Sequence, residues 1–164
     1  MRKQILVLIA LILALSACTP AFSRYTLDQV NTQISFQGLA QDPESYIGKT
    51  VLLGGNIIEI YMESDQTWIE ILQKPLDSQQ RPQYTDVSHG RFFIHFPDFR
   101  DPAIYAPGRQ ITVVGEVAGA RIQKIREMDY TYPVIIPKES HLWQPQSMTG
   151  PFFNIGIGVG GVFR

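Results

Sequence analysis

The sequence contains only one cysteine, Cys18, among its 164 residues. A single cysteine cannot form an intramolecular disulfide, so stability must come from packing rather than from the cross-links of many small exported domains. Charged residues make up 18% of the chain, and the formal net charge is −1. This near balance of charge disfavours nucleic acids and anionic surfaces as partners.

The chain also lacks a long hydrophobic run, since the longest uninterrupted one covers residues 5–15. As a helix this run would be about 16 Å long, which is too short for a hydrocarbon core of roughly 30 Å. Two basic residues, Arg2 and Lys3, precede it, and small residues follow it. This order is typical of an export signal, so we predict a signal peptide over residues 1–17.

The end of that segment, Leu15-Ser16-Ala17-Cys18, resembles the lipobox of bacterial lipoproteins. The resemblance implies that the Cys18 thiol is lipidated, since a thiol is a suitable nucleophile for acyl-type modification. Several acyl chains together anchor a protein firmly to a membrane. Thr19 in the next position implies sorting to the outer membrane. The alternative is an ordinary secretory signal that ends at a chance cysteine.

A chain of this length supports one domain with its own core. We predict a lipid-anchored tether over residues 18–25, a β-barrel domain over residues 26–143 and a glycine-rich tail over residues 144–164. The tail alternates apolar residues with glycine up to Gly160. It is interpreted as a flexible or edge-docked segment, or as a strand that adds to a partner.

Alternating apolar residues predict the strands of this domain. The four clearest segments span residues 50–61, 67–73, 92–96 and 111–117, and weaker candidates span residues 121–126 and 132–136. In the first strand the apolar positions change phase between Leu53 and Ile58. We therefore expect a bulge or bend at Gly54-Gly55.

Short helical turns are predicted beside these strands. Thr26 is a candidate N-cap for a helix to Val30, and Asp42-Pro43 begins a turn that Gly48 ends. A similar turn spans residues 101–109, between the third and fourth strands. The fold class is therefore mainly β, a small closed or partly open barrel. The order of elements is OB-fold-like, although a generic six-stranded barrel also fits.

No catalytic constellation stands out. The three histidines, His89, His95 and His141, have no metal-ligand spacing, and Ser88-His89 lacks the surroundings of a nucleophile elbow. We therefore predict no enzyme activity and no metal or cofactor, against the alternatives of a hydrolase or a metal site.

The polar segment of residues 74–90 is long for a barrel connection, and it is interpreted either as a binding loop or as a mobile one. The candidate interaction surface comprises Trp68, Tyr84, His89 and Arg91. It suits an envelope protein, a second copy of the chain, or a small molecule or glycan.

A set of short motifs runs along most of the chain up to Trp143. They are the lipobox, Asp-Pro-x-x-Tyr-x-Gly-Lys (42–49), Gly54-Gly55, Ile69-Glu70, Pro75-Leu76-Asp77, Ser88-His89-Gly90-Arg91-Phe92, Asp101-Pro102, Tyr105, Gly108-Arg109, Thr112-Val113, Gly115, Tyr132-Pro133 and His141-Leu142-Trp143. These motifs resemble those of the starvation-inducible outer-membrane lipoproteins, the Slp family. The resemblance implies an envelope protein linked to stationary phase or stress. Our leading hypothesis is a non-catalytic, periplasm-facing outer-membrane lipoprotein whose barrel acts as an interaction or envelope-maintenance module.

Overall fold

The computed structural model describes residues 21–145, which form a mainly β domain with short helices. The predicted signal peptide, Cys18 and most of the predicted tail lie outside the described residues. The strands are β1 (Thr50–Glu63), β2 (Gln66–Gln73), β3 (Arg91–Phe96), β4 (Gln110–Ile125) and β5 (Met128–Leu142). The helices are α1 (Arg24–Leu27), α2 (Phe36–Gln41) and a 3-10 helix (Pro43–Tyr46).

The five strands form a closed ring in the order β1-β2-β3-β5-β4. Neighbouring strands are antiparallel except β3 and β5, which pair in parallel through Phe93–Val134 and Ile94–Ile135. These two residue pairs form a narrow seam that closes the sheet. A five-stranded ring agrees with the predicted OB-fold-like class and not with the six-stranded alternative.

The core fills the inside of this ring. Every second residue of β1 up to Ile57 points inward, as period-two alternation requires. The sequence predicted a phase change at Gly54-Gly55, and this position was wrong. The register of the β1–β2 pair shifts between Ile57 and Glu59, so the bulge lies at Ile58.

Gly55 has a different role from the predicted bend, because it lets β1 approach β2 closely. A Cβ atom at Gly55 would lie 2.0 Å from the Leu72 carbonyl oxygen. Gly115 of β4 is similar, since a Cβ atom there would lie 2.5 Å from the Ile136 carbonyl oxygen. Only glycine fits at such contacts.

The weaker strand candidates of residues 121–126 and 132–136 are parts of two long strands. β4 and β5 pair continuously from Ile111–Leu142 to Ile125–Met128, with register shifts after Val114 and Val117. The end of this hairpin extends past the ring. Pro133 and Pro137 lie within β5, where proline removes a ladder donor, and the register shifts accommodate the irregular pairing.

The helical turns differ in detail from the prediction. Ser23, and not Thr26, caps α1 by accepting a hydrogen bond from the Thr26 backbone at 3.1 Å. Pro43 opens the 3-10 helix as predicted, whereas residues 101–109 form hydrogen-bonded turns and no helix. α2, which the sequence did not predict, buries Phe36 and Leu39 in the core.

The packed part of the chain begins earlier than the predicted domain start. Phe22, inside the predicted tether, is 1% exposed, and its ring contacts that of His141 at 6.4 Å. Ser23 donates from its backbone to the Glu139 carboxylate at 3.4 Å. In residues 21–145, no helix is long and apolar enough to cross a membrane.

Candidate functional site

A second apolar cluster lies outside the ring, on the outward face of β2 and β3. The β4–β5 hairpin folds over this face and buries it. We call it the outer aromatic cluster, and its members are Tyr61, Trp68, Phe93, Ile125, Tyr130, Tyr132 and Val134. Phe93 lies at its centre, with ring contacts to Tyr61, Trp68 and Tyr132 between 4.7 and 6.0 Å.

A carboxylate, Glu70, is buried within this cluster and is only 4% exposed. It accepts hydrogen bonds from Tyr132 at 3.1 Å and from Arg91 Nη1 at 2.8 Å, and it shares the single hydroxyl proton of Tyr61, at 3.1 Å, with Glu59 at 3.0 Å. A buried charge is tolerated only when it is paired and hydrogen-bonded, and the Arg91 guanidinium with the two phenols meets that condition. The contacts join β1, β3 and β5 through one side chain of β2.

The two tyrosines are held in their protonated, hydrogen-donating form. Burial and then the adjacent Glu70 raise the pKa of Tyr132 to about 12. The pKa of Tyr61 is also raised, first by burial and then by Glu59 and Glu70. The hydrogen bond to Glu70 raises the pKa of Arg91 in turn. At neutral pH both phenols therefore donate hydrogen bonds and are poor nucleophiles or bases.

Trp68 lies between two side chains at the edge of the cluster. The His95 ring stacks on it at 4.0 Å with an interplanar angle of 10°, and the Arg121 guanidinium lies 4.5 Å from its ring centre. Arg121 also donates to Glu63 at 2.7 Å. Burial, with a contribution from Arg121, lowers the pKa of His95, while Glu63 partly offsets the shift. His95 is therefore held mainly neutral against the indole.

The four residues of the predicted interaction surface have different surroundings. Trp68 belongs to the outer aromatic cluster, and Arg91 contacts the cluster through Glu70. His89 instead lies beside α2, where its Nδ1 contacts Gln37 Nε2 at 3.1 Å. Tyr84 is 64% exposed in the loop of residues 74–90. The structure thus brings together two of the four predicted residues.

The loop of residues 74–90 is fixed to the ring at several points. Lys74 is 7% exposed and donates to the Thr85 carbonyl oxygen at 2.6 Å. Gln110 donates to the Pro82 carbonyl oxygen at 2.8 Å, and Thr112 donates to that of Gln80 at 2.7 Å. These contacts favour an ordered loop over the mobile alternative.

The three histidines are dispersed over the domain. His89 contacts α2, His95 stacks on Trp68, and His141 packs between Phe22 and Trp143 at ring distances of 6.4 and 4.4 Å. Within residues 21–145, no group of three histidine, cysteine or acidic residues is placed to hold a metal ion.

Sequence reasoning did not select Tyr61 and Tyr132 of the outer aromatic cluster as site residues. It also did not select Glu70 and Arg121, which contact the cluster. One signal was present, namely the unbroken apolar run Phe92-Phe93-Ile94 in β3. A strand that is apolar on both faces is covered on both faces, and this predicts a second buried layer outside the ring.

The chain matches the family model of the outer membrane lipoprotein Slp family over residues 15–154. An uncharacterized protein of Haemophilus influenzae is 38% identical over 96 residues, covering 58% of this chain and 52% of that protein. The uncharacterized lipoprotein YeaY of Escherichia coli is 32% identical over 123 residues, covering 71% and 63%. The outer membrane protein Slp of Escherichia coli is 26% identical over 151 residues, covering 89% and 80%.

The family match covers well over half of the chain, so this protein belongs to the outer membrane lipoprotein Slp family. The resemblance of its motifs to that family is confirmed, and the protein is an Slp-type membrane lipoprotein. The chain spans about half of the Haemophilus protein and less than two thirds of YeaY. No solved structure matches the chain significantly.

Proposed function

We propose that the protein is a non-catalytic interaction module of the cell envelope, anchored by acyl groups on Cys18 to the outer membrane and facing the periplasm. The observation that carries this proposal is the family match, whose residues 15–154 include the lipobox and Cys18. Thr19 after that cysteine favours the outer membrane. The mature chain then consists of a short anchor segment, the β domain and a C-terminal tail.

The roles of the titratable side chains support a module without catalysis. Glu70, which is buried within the outer aromatic cluster, is hydrogen-bonded by Arg91 and Tyr132 and shares the hydroxyl proton of Tyr61 with Glu59, so its contacts join four strands. His95 stacks on Trp68, which gives it a packing role. Catalytic groups need a reacting atom within reach, and these groups are committed to neighbouring side chains.

The exposed part of the predicted interaction surface, Tyr84 and the adjacent loop of residues 74–90, is the proposed contact for an envelope partner. Tyr84 is 64% exposed on a loop that hydrogen bonds hold in place. Ordered exposed aromatics suit protein interfaces because they bury a large area at a low entropic cost. We propose maintenance of the envelope under stress as the role this contact serves.

Complementation of a deletion strain tests this function, with outer-membrane permeability under starvation as the readout. We expect Cys18→Ala and Tyr84→Ala to fail to restore the barrier, and His95→Gln, in β3 and outside the loop of residues 74–90, to restore it like the wild type. Immunoblotting has to show equal amounts of each protein. Loss of function in His95→Gln, with the protein folded and correctly located, would contradict the non-catalytic proposal.

A further inference from the structure

The position of Phe22 limits how the domain can be placed relative to the membrane. Only three residues separate Cys18 from Phe22 in the sequence. Whatever their conformation, four residue steps extend at most about 14 Å. This is less than half of the roughly 30 Å diameter of a small domain.

Phe22 is a fixed point of the fold. Its side chain is 1% exposed and contacts the His141 ring near the end of β5. Ser23 then contacts Glu139 and caps α1, so the next turn is fixed to β5 as well. An anchor at Cys18 therefore keeps this end of the domain within about 14 Å of the lipid.

The surface next to Phe22 carries side chains that suit a lipid–water interface. Tyr25 of α1 is 79% exposed, and Arg24 beside it is also exposed. A tyrosine ring is apolar along its body and polar at its hydroxyl, which explains why tyrosine is enriched at membrane interfaces. An adjacent arginine donates hydrogen bonds to phosphate groups.

We propose that the domain rests on the phospholipid surface through this end, with Arg24 and Tyr25 at the level of the headgroups. This inference rests on the proposed acylation of Cys18. Met128 at the hairpin tip lies thirteen positions before His141, a path of roughly 40 Å along β5, so it is at the opposite end of this strand from the contact with Phe22.

Tyr25 and Met128 provide a matched pair for the test, since their side chains are 79% and 76% exposed. Cys18 is the only cysteine, so acylation leaves an introduced cysteine as the only free thiol. The acylated Tyr25→Cys and Met128→Cys proteins would each carry a thiol-linked fluorophore. Both would be reconstituted into phosphatidylcholine–phosphatidylethanolamine vesicles that contain headgroup-labelled nitroxide lipid.

We expect the fluorophore at residue 25 to be quenched at least about twice as strongly as the fluorophore at residue 128. The reason is that nitroxide quenching acts only over distances shorter than the thickness of the hydrocarbon core. A flexible Gly/Ser linker of about twelve residues inserted after Thr19 should reduce the difference, because it removes the constraint of the short tether. Equal quenching at both positions in the protein without the linker would overturn the inference.

The intact mass of the same samples distinguishes a failure of the proposed anchor from a failure of the proposed placement of the domain. Acylated protein with equal quenching overturns only the placement of the domain, since the anchor is then present. Protein without acyl groups overturns the anchor and, with it, the placement.

Discussion

Tyr132 and Glu70 lie 62 positions apart in the chain, yet the Tyr132 hydroxyl donates a hydrogen bond to the buried Glu70 carboxylate at 3.1 Å. The contact fixes the β4–β5 hairpin to the outward face of β2. Arg91 donates a second hydrogen bond to the same Glu70 oxygen at 2.8 Å. Together the two donors explain why a charged residue is stable in an apolar layer. The outer layer is therefore held by one polar centre within an aromatic cluster.

Tyr132→Phe should lower the free energy of unfolding by about 1.5–3 kcal/mol, because it removes one hydrogen bond to a buried charge without changing the packing. Urea unfolding of the purified protein measures this loss. Tyr25→Phe is the matched control, since Tyr25 is 79% exposed, and its effect should stay within about 0.5 kcal/mol. Equal stabilities of both variants would contradict the role of Glu70.

Arg121→Ala should loosen the hairpin, since Arg121 contacts the Trp68 ring at 4.5 Å and Glu63 at 2.7 Å. The expected loss is about 1 kcal/mol, in the range of an exposed cation–π contact together with a surface ion pair. Hydrogen exchange should become faster in residues 118–133. Lys124→Ala on the same hairpin is the control, and a similar increase there would show that the contacts of Arg121 are not the cause.

Stability should decrease as the pH falls below about 6.5, the ordinary pKa of histidine. Burial lowers the pKa of His95 in the folded protein, so the unfolded chain binds more protons in this range. The stabilising contribution of neutral His95 is complete when the pH is above the pKa of this residue in the unfolded chain. It is lost as the pH falls through the pKa of His95 in the folded protein. His95→Gln should flatten the pH dependence of the unfolding midpoint between pH 7 and 5, and an unchanged slope would refute the assignment.

Gly55→Ala should be among the most damaging of the small substitutions. The added Cβ would lie 2.0 Å from the Leu72 carbonyl oxygen, so β1 and β2 would have to separate. A loss of roughly 3 kcal/mol or more is expected, at the upper end of overpacking effects. Gly108→Ala is the comparison, because a Cβ atom at Gly108 would lie in open space. This substitution should cost only the backbone strain of an alanine at a φ of +85°, about 1–2 kcal/mol. Thermal unfolding of both variants ranks the two effects, and a larger loss for Gly108→Ala would contradict the proposed close approach.

The inner layer of the fold was predictable because it follows a local rule. In β2 and β3, apolar side chains such as Ile69 and Ile94 recur every second residue, and both strands were placed within one residue of their observed starts. β4 and β5 were predicted as fragments. Pro133 and Pro137 interrupt the strand pattern of β5, and the register shifts that accommodate them depend on pairing with β4.

The outer aromatic cluster was not predictable residue by residue, since it forms between distant segments. Trp68 was selected as an outward-facing aromatic, but its partners His95 and Arg121 come from other strands. Glu70 also faces outward, and a period-two pattern assigns such a glutamate to solvent. Only the fold of the hairpin over β2 and β3 shows that it is buried.

The central claim is that Cys18 anchors this domain to a membrane, and intact mass with membrane fractionation of the wild type and Cys18→Ala tests it most directly. The account predicts a wild-type mass equal to residues 18–164 plus acyl groups, and sedimentation with the outer membrane. Cys18→Ala should lack both properties. A wild-type protein that carries no acyl groups and stays in the soluble fraction would contradict the account.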